Sequence, residues 1–309
     1  MMKMPKVYYS ALKKDFFKYA GTPEKNGRFA ASGIITPTDI EDVEAVVVLE
    51  QVLGLSRPLY NLRQMCKVIP MDKLVAKIDT YGKLTAQEKV LPLVEAEISD
   101  RDRERTAFDL WKNVTHVVCS DEAGMKSSHD ELQMSTEDAA KALTNSENGQ
   151  IATIVEAATN TSAGSNWDTV TSGRSANNPF TDIGTAEDTI NGTNGLIPSL
   201  CVAHPKVWRS FFSNDFVKGQ LKGMERPDLS KTFPLPGLPG MNGISDYALT
   251  NTQMLVCDPN ESTVLGEGPT ASAKYRDEKA GYDAYIIRQW LQPKIVNQGG
   301  IYELTGLRS

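Results

Sequence analysis

Several features are scarce in this chain of 309 residues, and each scarcity excludes something. It has four cysteines, Cys66, Cys119, Cys201 and Cys257, widely spaced and with no C-x-x-C pair. That excludes a zinc ribbon and a dithiol redox motif and predicts reduced, partly buried thiols; a structural disulfide is the minority alternative. It has three histidines, His116, His129 and His204, none at metal-ligand spacing from another or beside a cysteine pair, so no metal site is expected. No G-x-S-x-G, G-x-x-x-x-G-K-[ST], H-E-x-x-H or G-x-G-x-x-G run occurs, and no catalytic or cofactor-binding residues are expected. The glycine-rich stretch Gly237 to Gly243 lacks the Lys and the helix of a phosphate cradle, and its prolines remove N–H donors, so it reads as a turn-rich loop. There is no run of 18 apolar residues, which excludes a membrane-spanning helix. The first residues carry Lys3 and Lys6 without an apolar core, unlike a secretory signal. No fixed-period repeat is present.

What is present is ordinary globular material, 40% hydrophobic and 23% charged, enough for a substantial core in one large domain or two smaller ones. The net charge of −6 argues against a general nucleic-acid binder. That charge is uneven. Residues 1–30 hold seven Lys or Arg against two acids, a net +5, so the remainder carries −11. The basic segment also holds Tyr8, Tyr9, Phe16, Phe17 and Tyr19, and Gly21, Pro23, Gly27, Gly33 and Pro37 break up its second half. It reads as an extended arm with a short amphipathic helix, unable to bury its aromatics alone. Lys13, Lys14, Phe16 and Phe17 are therefore candidate contacts to another subunit. A membrane-surface helix and a nucleic-acid contact are the lesser alternatives.

Thr38 and Glu41 form a capping box at the start of a helix with Val43, Val46, Val47, Leu49 and Leu53 on its apolar face, and Gly54 is expected to stop it. Leu74, Ala76 and Ile78 alternate with charged residues, as do Val94, Ala96 and Ile98 with Glu95 and Glu97. An unbroken run of charge follows from Asp100 to Arg105. Residues 69–119 read as one long two-stranded excursion with a charged distal part. An isolated hairpin is marginal in water, so another subunit is expected to support it. Glu95, Glu97, Arg101, Arg103 and Arg105 are the candidate inter-subunit brace, with a solvated face as the equal alternative. Residues 133–158 read as a helix, with Ser135 as N-cap and Asn145 to Gly149 as an interruption that kinks or splits it. Residues 159–179 read as a loop around Trp167. A helix from Asp182, a buried strand over 196–203, a helix over 205–212 and a buried strand over 254–257 come next, and strands over 282–290 and 294–304 close the chain.

The order of parts resembles the major capsid proteins of tailed viruses with the HK-ninety-seven-like fold. Thr115-His116-Val117-Val118-Cys119-Ser120-Asp121-Glu122 resembles that family's strand leaving its extended loop. Asn178-Pro179-Phe180-Thr181-Asp182-Ile183, followed by Gly195-Leu196-Ile197-Pro198-Ser199-Leu200, resembles the start of its axial domain, and His204-Pro205-Lys206-Val207-Trp208 the helix after it. The resemblance covers about residues 38–305. It implies an α+β fold with an N-terminal arm (1–37), an extended β-hairpin loop (69–105), a peripheral domain (38–68, 106–180 and 272–309) with a spine helix over about 133–158, and an axial domain (181–271). The implied function is structural: self-assembly through hexamers and pentamers into an icosahedral shell around a double-stranded DNA viral genome, in a virion assembled in the host cytoplasm. The implied partners are the chain itself, packaged DNA held non-specifically, and scaffold, maturation-protease, portal or decoration proteins, with no membrane. An encapsulin-type nanocompartment shell holding a cargo enzyme is the alternative within the same fold. Some members crosslink a Lys of the loop to an Asn of the peripheral domain with help from a Glu; Lys83 or Lys89, Asn297 and Glu303 occupy comparable places.

Overall fold

Alternating and unbroken apolar runs take different places in this structure. The computed structural model describes residues 47–55, 61–81, 103–121, 131–171, 173–221 and 227–308. The expected arm with Lys13, Lys14, Phe16 and Phe17, the Thr38 capping box, and Lys83, Lys89, Glu95, Glu97 and Arg101 lie outside those residues. The first described elements are helix α1 (47–55), a 3-10 turn (Leu62–Met65), β1 (Cys66–Pro70), β2 (Val75–Tyr81), β3 (Arg103–Asp109), β4 (Trp111–Ser120) and the long helix α2 (Glu131–Val155). Then come β5 (Thr161–Ala163), β6 (Val170–Thr171), β7 (Arg174–Ser175), α3 (Pro179–Asn194), β8 (Leu200–Ala203), α4 (Pro205–Ser213) and α5 (Asp215–Gln220). The chain finishes through β9 (Phe233–Pro234), β10 (Asn242–Ser245), β11 (Met254–Cys257), β12 (Thr263–Glu267), β13 (Ala271–Asp277), β14 (Tyr282–Ile295) and β15 (Ile301–Thr305).

The unbroken runs Leu200–Ala203 and Met254–Cys257 lie at the centre of a six-stranded sheet, β5-β15-β11-β8-β10-β9. Every residue of both strands is buried, because both faces of the sheet are covered. Cys201, Ala203, Met254, Val256, Tyr302 and Leu304 face a core with Ile183 and Ile190 of α3 and Val207, Trp208 and Phe211 of α4. Leu200, Val202, Leu255, Cys257 and Ile301 face the other way, onto Leu62, Met65 and the C-terminal half of α2 through Ile151, Ala152 and Val155.

The second sheet is built on β14. β4 pairs along one edge of it, Val117 opposite Tyr285 and Thr115 opposite Ile287. β13 and β12 share the other edge end to end, and β1 extends the sheet in parallel with β12. Val117, Tyr285 and Ile287 pack against Ala139, Ala140 and Leu143 of α2 and Val48 and Val52 of α1. So one helix, α2, bridges both sheets, its first half on one and its last turns on the other.

Three expectations need correction. Residues 69–119 are not one two-stranded excursion: among the described residues β2 pairs only with β3, and β4 joins β14. α1 continues through residue 55, so Gly54 does not stop it. Asn145 to Gly149 does not interrupt α2, which is continuous over 25 residues. Its polar residues are tied off instead. The Thr144 and Thr153 hydroxyls donate to carbonyls one turn back, at 2.9 and 2.8 Å. Glu147 and Asn148 are buried with partners from distant segments.

Candidate assembly surfaces

The β2–β3 hairpin is two-faced at its base. Ala76, Ile78 and the fully buried Phe108 lie on an apolar cluster with Met71, Leu110 and Val264. The opposite face carries Val75, Lys77 and Asp79 against Asp109, Ala107 and Arg105. Arg105 Nε donates to Asp79 Oδ1 at 2.8 Å, directly across the strands. The structure thus gives Arg105 a partner within its own hairpin. Arg103 sits in β3 opposite Tyr81. At the root of the hairpin Leu74, Val75 and Trp111 expose 52, 59 and 64% of their surface, and the Leu110 N–H bonds to the Leu74 carbonyl between them. They are exposed apolar side chains near the base of the hairpin and are candidate contacts for a neighbouring copy. Sequence reasoning missed them, because Trp111 follows the break at Leu110 and fits no period.

On the face of the second sheet turned away from α2, register aligns Val118, Ala284 and Tyr275 in one row and His116, Ile286 and Ala273 in the next. Val118 and Val114 are each 42% exposed there. Arg276 closes one end of this sheet, holding Asp121, Glu278 and Asp283 at 2.8–3.1 Å.

The motif residues quoted above have distinct structural tasks. Asn178 caps α3, its Oδ1 accepting from Phe180 N at 3.1 Å, and Pro179 occupies the first turn. Asp182 Oδ2 accepts from Ser165 N, Ser165 Oγ and Trp167 Nε1 at 3.0, 2.6 and 2.8 Å, fastening the preceding loop under the helix. Gly195 ends α3 at φ 61°, where its N–H reaches Asn191 O. His204 caps α4: its Nδ1 accepts from Lys206 N at 3.0 Å. Burial, and then the nearby Lys206 and Arg308 charges, hold the His204 imidazole below its ordinary pKa, which suits an accepting nitrogen. Tyr247 lies edge-on to it and is exposed.

One charged cluster lies where α2 passes between the sheets. Arg63 donates to Glu147 through Nε at 2.7 Å and Nη2 at 2.9 Å, and reaches Glu267 Oε1 at 3.1 Å. Gln289 Nε2 adds a bond to Glu147 at 3.2 Å. Burial alone would lower the Arg63 pKa, but its bonds and charge contacts with Glu147 and Glu267 reverse that and raise it. Asn148 Nδ2 similarly reaches Asp246 at 3.0 Å. Asn297 caps a short turn through Gly299 N. Glu303 is buried in β15, and burial, then Glu156, pushes its carboxyl pKa up. Burial pushes the Cys66 and Cys201 thiols up to about 12, far from reactivity. Among the described residues no His, Cys, Asp and Glu side chains cluster to hold a metal ion, and no helix is long and apolar enough to cross a membrane.

No protein-family sequence model matches the chain, and no curated protein matches its sequence. Solved structures do. A phage-related protein from Bordetella bronchiseptica matches with a TM-score of 0.61 at 13% identity, over 85% of this chain and 96% of that one. The capsid of a native GTA particle matches with a TM-score of 0.58 at 10% identity, over 80% of this chain and 90% of that one. This is the HK-ninety-seven-like capsid fold. The holo-SrpI encapsulin complex of Synechococcus elongatus shares it with this chain, at a TM-score of 0.51 and 11% identity over 99% and 97% of the two chains. At 10–13% identity these structures share a backbone fold with this chain and little of its sequence, so the surfaces above have to be read from this chain's own residues.

Proposed function

We propose that the chain is the major capsid protein of a tailed virus, which self-assembles into an icosahedral shell around a double-stranded DNA genome. The observation that carries the reading is the hairpin of β2 and β3. Among the described residues β2 and β3 pair only with each other, and Leu74, Val75 and Trp111 are exposed near their base. The hairpin's apolar face rests on Met71, Leu110 and Val264 of the same subunit, and its opposite face, with Val75 and Lys77 exposed, is open to a neighbouring copy. In this reading residues 1–37 form a clamping arm, 69–105 the extended loop, 181–271 the axial domain and the rest the peripheral domain with α2 as its spine. Lys13, Lys14, Phe16, Phe17, Glu95, Glu97, Arg101, Arg103 and Arg105 contact neighbours, Arg105 while braced by Asp79. Scaffold, protease, portal or decoration proteins and the packaged DNA are the further partners. The role is structural rather than enzymatic, and the place of action is the virion.

The purified protein is expected to form capsomers or closed shells in light scattering and negative-stain images. A compact monomer at every concentration, salt and pH tested overturns the proposal. Shells that hold an enzyme rather than DNA point to the nanocompartment alternative.

Deletion of residues 1–30 is expected to abolish or strongly reduce shell formation and leave the melting temperature of the unassembled subunit nearly unchanged. The segment carries +5 of charge and aromatics with no core of their own. Sedimentation of the truncated and full chains side by side decides it; equal shell yield removes the clamp role.

A further inference from the structure

Helices α3, α4 and α5 each start on a side-chain cap, and one of the three caps titrates. Asn178 accepts from Phe180 N at the head of α3, and Asn214 accepts from Phe216 N at the head of α5, both at 3.1 Å. An amide oxygen does this at any pH. At the head of α4 the acceptor is His204 Nδ1, 3.0 Å from Lys206 N. An imidazole nitrogen accepts only while it carries no proton, so the capping ring is neutral with its proton on Nε2. A second proton turns Nδ1 into a donor that faces a donor, and the cap is lost.

The protonated ring has other partners close by. His204 stands edge-on to Tyr247, with ring centres 5.5 Å apart. Beside Tyr247, the buried Asp246 accepts from Ala248 N at 2.8 Å and from Asn148 Nδ2 of α2 at 3.0 Å. The charges that act on the ring come from three segments: Lys206 in α4 itself, Arg308 near the end of the chain, and Asp246 after β10. The two cations and the positive end of α4 oppose a protonated imidazole; of the three charges, Asp246 alone favours one.

We propose that His204 is an acid-sensitive latch on α4. The neutral ring caps the helix; the protonated ring releases the Lys206 N–H, turns to Asp246 and the face of Tyr247, and loosens the first turn. The ring is half-buried, so protons reach it from solvent. Pro205 and Tyr247 line a groove together with Lys141 and Asn145 of α2, so the latch moves a surface that α4 shares with α2. The direction follows from the surroundings of the ring. The folded chain takes up the His204 proton less readily than the unfolded chain. The contribution of the cap is therefore complete above pH 6.5, the ordinary histidine value, and is lost as pH falls through the lower value of the folded chain. The latch requires nothing from the shell-subunit reading and is tested on unassembled subunits.

Hydrogen exchange of the full-length chain, read by mass spectrometry in a peptide over 204–212 and corrected for the intrinsic effect of pH, is the measurement. Between pH 8 and pH 5 the first-turn amides of α4 are expected to lose about fivefold in protection, the value of one cap. His204→Asn, which keeps an acceptor of the kind that Asn178 and Asn214 supply, is expected to hold full protection across that range. His204→Ala is expected to show the low protection throughout. His116 and His129 are present in all three forms, so the difference between them belongs to position 204. Protection in the parent chain that ignores pH, or an equal loss in His204→Asn, overturns the latch. A second reading tests the acid-state partner. The midpoint of the His204 ring titration, followed by NMR and assigned by its absence in His204→Asn, is expected to fall in Asp246→Asn; an unmoved midpoint overturns the turn toward Asp246.

Discussion

Replacing Glu147 with Ala is expected to destabilise the unassembled subunit by about 3–5 kcal/mol, measured as a shift in its urea unfolding midpoint. Glu147 has no solvent exposure and accepts both forks of the Arg63 guanidinium, at 2.7 and 2.9 Å. Removing it takes the buried two-oxygen acceptor from Arg63 and the acceptor from Gln289. The lower part of the range applies, because 24% of the Arg63 side chain reaches water and can be partly resolvated. Glu147→Gln keeps the shape and one acceptor and is expected to lose less. Replacing Arg63 and Glu147 together by Met is expected to recover most of the loss, since no charge is then left buried. The consequence is geometric as well as energetic. Arg63 lies just before β1, Glu147 on α2, Glu267 on β12 and Gln289 on β14, so this cluster fixes α2 lengthwise where apolar contacts alone would let it slide. A Glu147→Ala subunit that unfolds within 1 kcal/mol of the parent would show that the apolar contacts suffice.

The same cluster explains where sequence reading failed. Asn145 to Gly149 looks like a break because polar residues on a buried helix face violate the expected period. Their partners lie elsewhere: Arg63 is 84 positions from Glu147, and Asp246 is 98 positions from Asn148. No local pattern announces such pairs. Local chemistry was legible. The helix over 205–212 was read close to its place, but the one expected from Asp182 starts earlier, at Pro179, and Asn178 and His204, each before a proline, turn out to be the caps. The unbroken runs at 200–203 and 254–257 signalled strands covered on both faces, because a sheet with one wet face would alternate. The misreading of β4 has a different cause. A strand-like run from Phe108 to Cys119 is silent on which strand it pairs with. β14, the strand it joins, comes more than 150 residues later in the chain. The exposure of Leu74, Val75 and Trp111 was illegible too, since nothing in their local sequence says which apolar residues the body leaves uncovered.

Trp208→Ala is the second substitution with a large expected effect, a loss of about 3–5 kcal/mol. The indole is fully buried, with ring centres of Phe233, Phe211 and Phe212 at 5.0, 5.6 and 6.1 Å. Its Nε1–H donates to the Ile244 carbonyl at 2.8 Å, tying α4 to β10. The site is built around this one side chain. Gly243 lies beneath it, and a Cβ there would stand 3.1 Å from the indole Cη2 and still closer to the Phe233 ring. A cavity left among such large, mutually wedged rings closes poorly, so the cost falls high in the usual range. Trp208→Phe keeps a ring but loses the donor and part of the volume, and is expected to cost less than half as much. Gly243→Ala overfills the same site and is expected to destabilise by about 1–3 kcal/mol. Urea unfolding of unassembled subunits ranks the three. Shell yield should fall in the same order, because α4 and the six-stranded sheet share this core. If Trp208→Ala abolished shells while unfolding like the parent chain, the aromatic cluster would be part of a contact surface and not the keystone of the subunit's own core.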